Sequence, residues 1–462
     1  MATTLVAPVT AHADTDPADA GRPSLAFPGA RGFGSRAQGG RGGDVAAVTT
    51  LADDGPGSLR HAVETATGPR TIVFGVGGII DLEAPLRIRG SHLTIAGQTA
   101  PGGITLRGYP VEVVDAEHMI LRHLRFRPGD RHAAGVPGKP GQGNQDLVGD
   151  AGDALSILAS EHVIVDHVSA SWSMDETLSV TKSADVTVAH SIISESLDDS
   201  FHPEGLHGYG SLVRGTGERG YTFWRNLWAH HQRRMPAIGG QQDPPPAGVP
   251  GEGLDIDLVN NVIYDWGLLA THTLEYPYQL RMNLEGNSYV RGAGAGVPFV
   301  LFNIEATAEE LSVHADDNTY DPDGDSTVDP RAVTPMDAFG AVTWVAERFD
   351  FDRRPPRVID AERAYRQVLR RAGASRYRDD IDARIVADVA HRTGAVIDSQ
   401  DDVGGWDEDT PTVRVPRDGD GDGMSDWWER RRGLDPRDPA DGNQFDLHRR
   451  FTNLEIYLAA LA

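Results

Sequence analysis

Acidic side chains at two places in this sequence have the spacing to hold a metal ion. Near the C-terminus, Asp418, Asp420, Asp422, Asp426 and Glu429 stand at positions 1, 3, 5, 9 and 12 of a twelve-residue segment, with Gly423 at position 6 and the Met424 carbonyl at position 7. That is the pattern of a calcium loop, in which carboxylates and one backbone carbonyl surround a hard cation and glycine permits the sharp turn. A merely solvated acidic loop would not keep every diagnostic position. In the middle of the chain, Asp153, Asp166, Asp175 and Glu176 follow one another closely. Carboxylates brought together repel unless they share a cation, and oxygen donors select a hard ion such as Ca2+. Asp166 and Asp175 lead that expectation, with Glu176 and Asp153 beside them. Any one of them alone more commonly caps a turn or pairs with an arginine; three in succession favour a metal. Beyond them comes Asn226-Leu-Trp-Ala-His230-His231-Gln-Arg233-Arg234-Met-Pro236. His230 and His231, like His202 and His207 upstream, could act as acids or ligands, although a satisfied structural histidine is the commoner case.

Something must set these groups side by side, and a repeat supplies it. LTIAGQ, MILRHL, VIVDHV, VTVAHS, TFWRNL, DLVNNV and MNLEGN share one pattern, whose fourth slot holds Gly97, His123, His167, His190, Asn226, Asn261 and Asn287. The slots lie 26, 44, 23, 36, 35 and 26 residues apart. The short spacings set a coil, and the long ones are coils with insertions, two of them at Pro128 to Gly152 and Gly239 to Gly253. Short β-branched strands at that period predict an all-β, right-handed parallel β-helix, in which each coil buries its apolar face on the next. An antiparallel sandwich is the alternative. The expected organisation is a leader remnant and linker over 1–22, the β-helix over 23–330, a helical and loop extension over 331–407, and an EF-hand-like calcium segment over 408–462. Helices are expected at Pro335 to Phe349, Ala361 to Ala372 (Asp360 as N-cap, Gly373 at the end) and Arg378 to Thr393.

Composition narrows the partners. A formal net charge of −25 argues against nucleic acid and anionic membranes, which are held by basic residues, and no apolar run approaches a membrane span. An acidic glycan would therefore need a bridging cation. The absence of cysteine excludes disulfides and thiolate chemistry. Ala11-His12-Ala13 after a short apolar stretch looks like the end of a signal peptide, so the expectation is a secreted, extracellular protein acting as a monomer.

Several segments resemble the family 1 pectate lyases, in particular their bacterial branch: Phe27-Pro-Gly-Ala-Arg-Gly-Phe-Gly34, Gly39-Gly-Arg-Gly-Gly43, Asp54-Gly-Pro-Gly-Ser-Leu-Arg60, Thr94 to Gly102, Arg125-Phe-Arg-Pro-Gly-Asp130, Asp166-His167, the Arg-x-Pro of Arg234 to Pro236, Ile397 to Gln400 and Gly404-Gly-Trp406. The resemblance runs from about residue 25 to 407. It implies β-elimination of a uronic acid polymer, pectate first, with calcium holding the substrate carboxylate and Arg234 as the base. Asp166 and Asp175 would be ligands, with Glu176 and Asp153 as further ones. Arg233, Arg225 and His231 are substrate-binding candidates, and Arg125, Arg127 and Arg214 could add charge. The chain departs from the family near Glu204, where a lysine is usual, and at Gly239, where a second arginine is usual. The C-terminal segment resembles dockerin-like and thrombospondin type 3-like calcium modules, and a stabilising clip is preferred to a docking role. A β-helix polygalacturonase or esterase, and a non-catalytic glycan-binding solenoid, are the alternatives.

Overall fold

The computed structural model describes residues 25–215, 220–240, 253–274, 279–292, 299, 301–302, 311–325, 329–338, 340, 342–351, 354–406 and 413–462. The leader expectation at Ala11 to Ala13 and most of the Gly239 to Gly253 insertion lie outside the described residues.

Strands a coil apart pair in parallel and build three sheets of a right-handed β-helix. The first sheet runs from Asp44–Val48 to Thr343–Val345, the second from Gly78–Asp81 to Thr319–Asp321, and the third from Leu86–Ile88 to His272–Thr273. One central coil shows the logic: Glu161–Asp166 lies in the first sheet, Ser169–Ser171 in the second, and Leu178–Ala189 starts in the third and turns the corner into the first sheet of the next coil. Alternate side chains point inward, so like stacks on like. Val163, Val186, Tyr221, Ile256, Met282 and Val313 form one such column, all buried.

The repeated fourth slot resolves into two adjacent columns at the corner between the first and second sheets. His123, His167 and His190 take positive φ (50° to 56°) and their rings stack at 4.9 and 4.6 Å. One residue further on, Asn226, Asn261, Asn287 and Asn318 form a ladder in which each side-chain Oδ1 accepts the backbone N–H of the residue one coil before, Ser191 for the first and an asparagine for the others. Their Nδ2 groups donate to Val188, Phe223, Leu258 and Leu284 carbonyls, so the buried asparagine amides are themselves satisfied.

Helix α1 (Leu59–Glu64), N-capped by Ser58, packs Leu59, Ala62 and Val63 into the core beside the first coils. Helices α2 (Ala361–Arg371) and α3 (Asp380–His391) occur where the sequence predicts them, capped by Asp360 and Asp379. They lay Val368, Ala372, Ile385 and Val389 over Ile192, Leu227, Val262 and Tyr264 on the outside of the second sheet. The helix expected at Pro335 to Phe349 is not formed: Pro335–Asp337 is a 3-10 turn, and Thr343–Val345 adds a strand to the first sheet, which therefore continues past residue 330. β-Branched Thr343 and Val345 suit that edge. Helices α4 (Asp426–Arg432) and α5 (Asn453–Leu461) fold back on the first coils, where Met424, Trp428, Leu454, Tyr457 and Leu458 cluster on Ala96.

Candidate active site

At the corner between the second and third sheets, one position recurs through four coils as Asp153, Glu176, Tyr209 and Arg233. Glu176 bridges Tyr209 and Tyr209 bridges Arg233 in parallel register, and Asp153 Oδ1 accepts the Glu176 N–H at 3.1 Å. The 23-residue coil that pairs Leu155 with Leu178 makes this stack. Ligand oxygens of Asp153, Asp175 and Glu176 lie within 4.8 Å of one another. The Arg234 guanidinium closes on Glu176 and sits 4.2 Å over the Tyr209 ring. Arg233 lies over the same ring at 4.3 Å and donates to its hydroxyl. Asp175 takes His207 Nε2 at 2.9 Å, and His207 stacks on His202 at 3.5 Å.

Electrostatics follow from this crowding. Burial, and then the charge of Asp175, hold Asp153 well above the usual carboxylate range. Burial lowers Arg234, while Asp175 and Asp153 pull it back up. Three oxygen donors, one reluctant to ionise beside the others, are a donor set that fits a hard divalent cation.

Asp166 does not belong here. It lies thirteen residues from Asp153, about half a coil, and so ends a first-sheet strand on another corner. Arg122 donates to its Oδ2 through Nε and Nη2 at 2.9 and 2.7 Å, His190 Nδ1 reaches Oδ1 at 2.9 Å, and His167 Nδ1 is 3.0 Å from Oδ2. These partners hold it far below the usual range against the cost of burial, and it serves as a structural ion pair.

Two substrate-binding expectations also move. His231 is fully buried, with Nδ1 accepting from Ser196 Oγ at 2.7 Å and Nε2 donating to the Ile193 carbonyl at 3.0 Å, so it is a core histidine. Arg225 stands beside Asn226 on the corner between the first and second sheets, stacked on Trp224. Arg125 and Arg127 are tied to Asp379 and Asp382 of α3. His230 is held by Asp265 at 2.7 Å.

The two departures have structural counterparts. A Cβ at Gly239 would stand 2.9 Å from Leu274 Cβ, so a side chain there is excluded, and Arg214 of the preceding coil pairs with it in register. The Pro128 to Gly152 insertion carries Lys139 to Asp199 (2.6 Å), and its Gly149 packs closely on Phe201 and His202. Sequence reasoning passed over Tyr209, and the signal for it is its place in the Asp153-Glu176-Arg233 column.

Asp418 accepts the Gly421 and Gly423 N–H groups at 2.7 and 3.0 Å, and Gly423 takes φ +90° against Val45 and Leu454. Oxygens of Asp420, Asp422, Asp426 and both of Glu429 are buried without a hydrogen-bond partner. Asp441, outside the twelve residues, adds another. Burial, and then repulsion from neighbouring carboxylates, push Asp422 up to about 7 and Glu429 to about 8.

No family model matches the chain. It is 32% identical over 452 residues to the probable pectate lyase C of Emericella nidulans, covering 95% of this chain and 93% of that one. The probable pectate lyase C of Aspergillus flavus is 33% identical over 445 residues, with 95% and 94% covered. Among solved structures, the cedar pollen allergen Jun a 1 superposes with a TM-score of 0.51 at 18% identity over 74% of this chain and 92% of its own. A pectate lyase from Paenibacillus sp. 0602 does so with 0.50 at 14% identity, over 77% and 98%. These two share the β-helix. With a third of its residues matching the fungal relatives along nearly its whole length, the chain belongs to the pectate lyase family.

Proposed function

We propose that this protein is a secreted, monomeric polysaccharide lyase that cleaves pectate or a related polyuronate by calcium-assisted β-elimination. The observation that carries this reading is Arg234 set against Asp153, Asp175 and Glu176 on one corner of the helix. Those three carboxylates would hold the ion; bound there, it would neutralise the substrate carboxylate and make the adjacent C5 proton more acidic. Arg234 takes that proton, the C5 electrons form a double bond to C4, and the C4–O bond breaks, its electron pair leaving with the oxygen, which is protonated from water. A guanidinium is a poor base because it stays protonated, and burial in a dry corner acts against its charge. Arg233, fixed on Tyr209, is placed to meet a second uronate carboxylate. The opening Phe27 to Gly34 segment supports the bacterial branch, and the Ala11 to Ala13 pattern supports export, which N-terminal sequencing of protein from culture medium checks.

The test is ultraviolet absorbance of unsaturated products from polygalacturonate with calcium. The wild type should produce it, and Arg234→Ala should lower the rate by about 10²- to 10⁴-fold. New reducing ends released in a chelator without that absorbance would favour a hydrolase instead.

The C-terminal loop is assigned a second, structural calcium held by Asp418, Asp420, Asp422, Asp426, Glu429 and the Met424 carbonyl, with Asp441 joining from outside. The buried, unpartnered oxygens of Glu429 support this, and the packing of Met424 and Trp428 on Ala96 supports a clip rather than a docking module.

A further inference from the structure

Arg31, Arg225, Arg357 and Arg363 share the wall of a cavity of about 340 Å3 with Trp224 and Gln367, and no carboxylate is among the described residues that line it. It lies beside the corner between the first and second sheets, whereas Arg234 belongs to the corner between the second and third. A chain of net charge −25 has acids to spare, and elsewhere it spends them on arginines: Arg127 is held by Asp379 and Asp382, and Arg384 by Glu195. Here it does not. Arg225 packs its guanidinium 4.5 Å over the Trp224 ring, and its Nε is buried without a hydrogen-bond partner. Burial and the charges of Arg371, Arg363 and Arg357 push it down to about 10. The nearest acids on α2 are committed, Glu362 to Arg366 and Asp360 to the Arg363 N–H as N-cap. Neither Arg225 nor Arg363 has a carboxylate partner among the described residues.

Guanidinium groups that converge without an acid repel one another, and the fold gains nothing from that arrangement unless an anion is taken up. Their planar forks match the paired oxygens of carboxylate, phosphate or sulfate. We propose that this cavity is an oxyanion site, separate from the cleft, for a carboxylate, phosphate or sulfate on a ligand about the size of one sugar unit, gripped by Arg225 and Arg363. The site stands independently of the lyase reading.

Titration calorimetry of the full chain with galacturonic acid, and separately with inorganic phosphate at constant ionic strength, tests it. Saturable binding is expected, weakened about tenfold by Arg363→Glu, the loss of one charge-assisted contact. Calcium-dependent turnover should be unchanged in that variant. Arg225→Gln should weaken binding in the same direction. Binding of galacturonate alone identifies an acidic glycan as the source, and binding or competition by phosphate identifies a free oxyanion. No saturable heat with either probe at millimolar concentration, or isotherms unaltered by Arg363→Glu, overturns the proposal.

Discussion

Arg234 and Glu176 face each other because a 23-residue coil puts Glu176 directly over Asp153 and the next coils bring Tyr209, Arg233 and then Arg234 to the same corner. The carboxylates and the arginine were legible in the sequence as residue types, and the resemblance put Asp166 and Asp175 first, with Glu176 and Asp153 as further ligands. What spacing by eye missed was phase. Asp166 looks like a member of the acidic series, yet half a coil separates it from Asp153, so its side chain meets Arg122 and two histidines instead. Substitution separates the two roles. Asp175→Asn should fold normally and raise the calcium concentration needed for half-maximal lyase activity. Asp166→Asn should leave that requirement alone and strip a buried arginine of its partner, costing about 3–5 kcal/mol in urea unfolding. A raised calcium requirement in Asp166→Asn would put Asp166 back at the ion.

At the scale of elements, the asparagine ladder ties the first sheet to the second in every coil from Asn226 to Asn318. Asn261 accepts the Asn226 N–H at 2.8 Å and donates to the Phe223 carbonyl at 3.0 Å and to Asn287 Oδ1 at 3.0 Å, all buried. Asn261→Ala leaves those partners dry and unpaired, at about 1–3 kcal/mol each, so its urea midpoint should fall sharply. Gln142→Ala, at an exposed loop position, should barely move it. The repeat and helices α2 and α3 were legible because apolar periodicity and N-caps are local signals. The strand at Thr343–Val345 was not, because its pairing with Ser312 to His314 is made across the coil and leaves no mark in the segment itself.

Over the whole molecule, two devices govern stability. The first is the C-terminal clip: Arg41 pairs with Glu455 at 2.7 Å and Asn443 donates to the Gly43 carbonyl at 2.9 Å, so the end of the chain holds its first coils. An ion bound at a hundred times its Kd adds about 2.7 kcal/mol; a chelator should lower the melting temperature of the wild type by more than that of Glu429→Gln, which has only the proposed cleft ion to lose. The second device is a set of histidines buried as neutral groups. Burial lowers His231 to about 3 and His272 to about 4, against 6.5 for an ordinary histidine. As the pH falls below 6.5 the unfolded chain takes up protons that the folded chain refuses, so this share of the stability is complete above 6.5 and is lost on acidification. At pH 5 the loss is about 2 kcal/mol for each such histidine. Asp257, pushed up to about 6 by burial, works the other way in the acid range, since its folded form binds a proton more readily than its unfolded form. The net pH profile therefore mixes opposite signs, and a single variant isolates one of them. His231→Gln keeps a polar side chain facing Ser196 and Ile193 and cannot titrate. Whatever it costs at pH 7, the drop in its unfolding free energy between pH 7 and pH 5 should be smaller than the wild-type drop by about 2 kcal/mol. Equal drops in urea unfolding would mean that His231 is not held neutral in the folded chain.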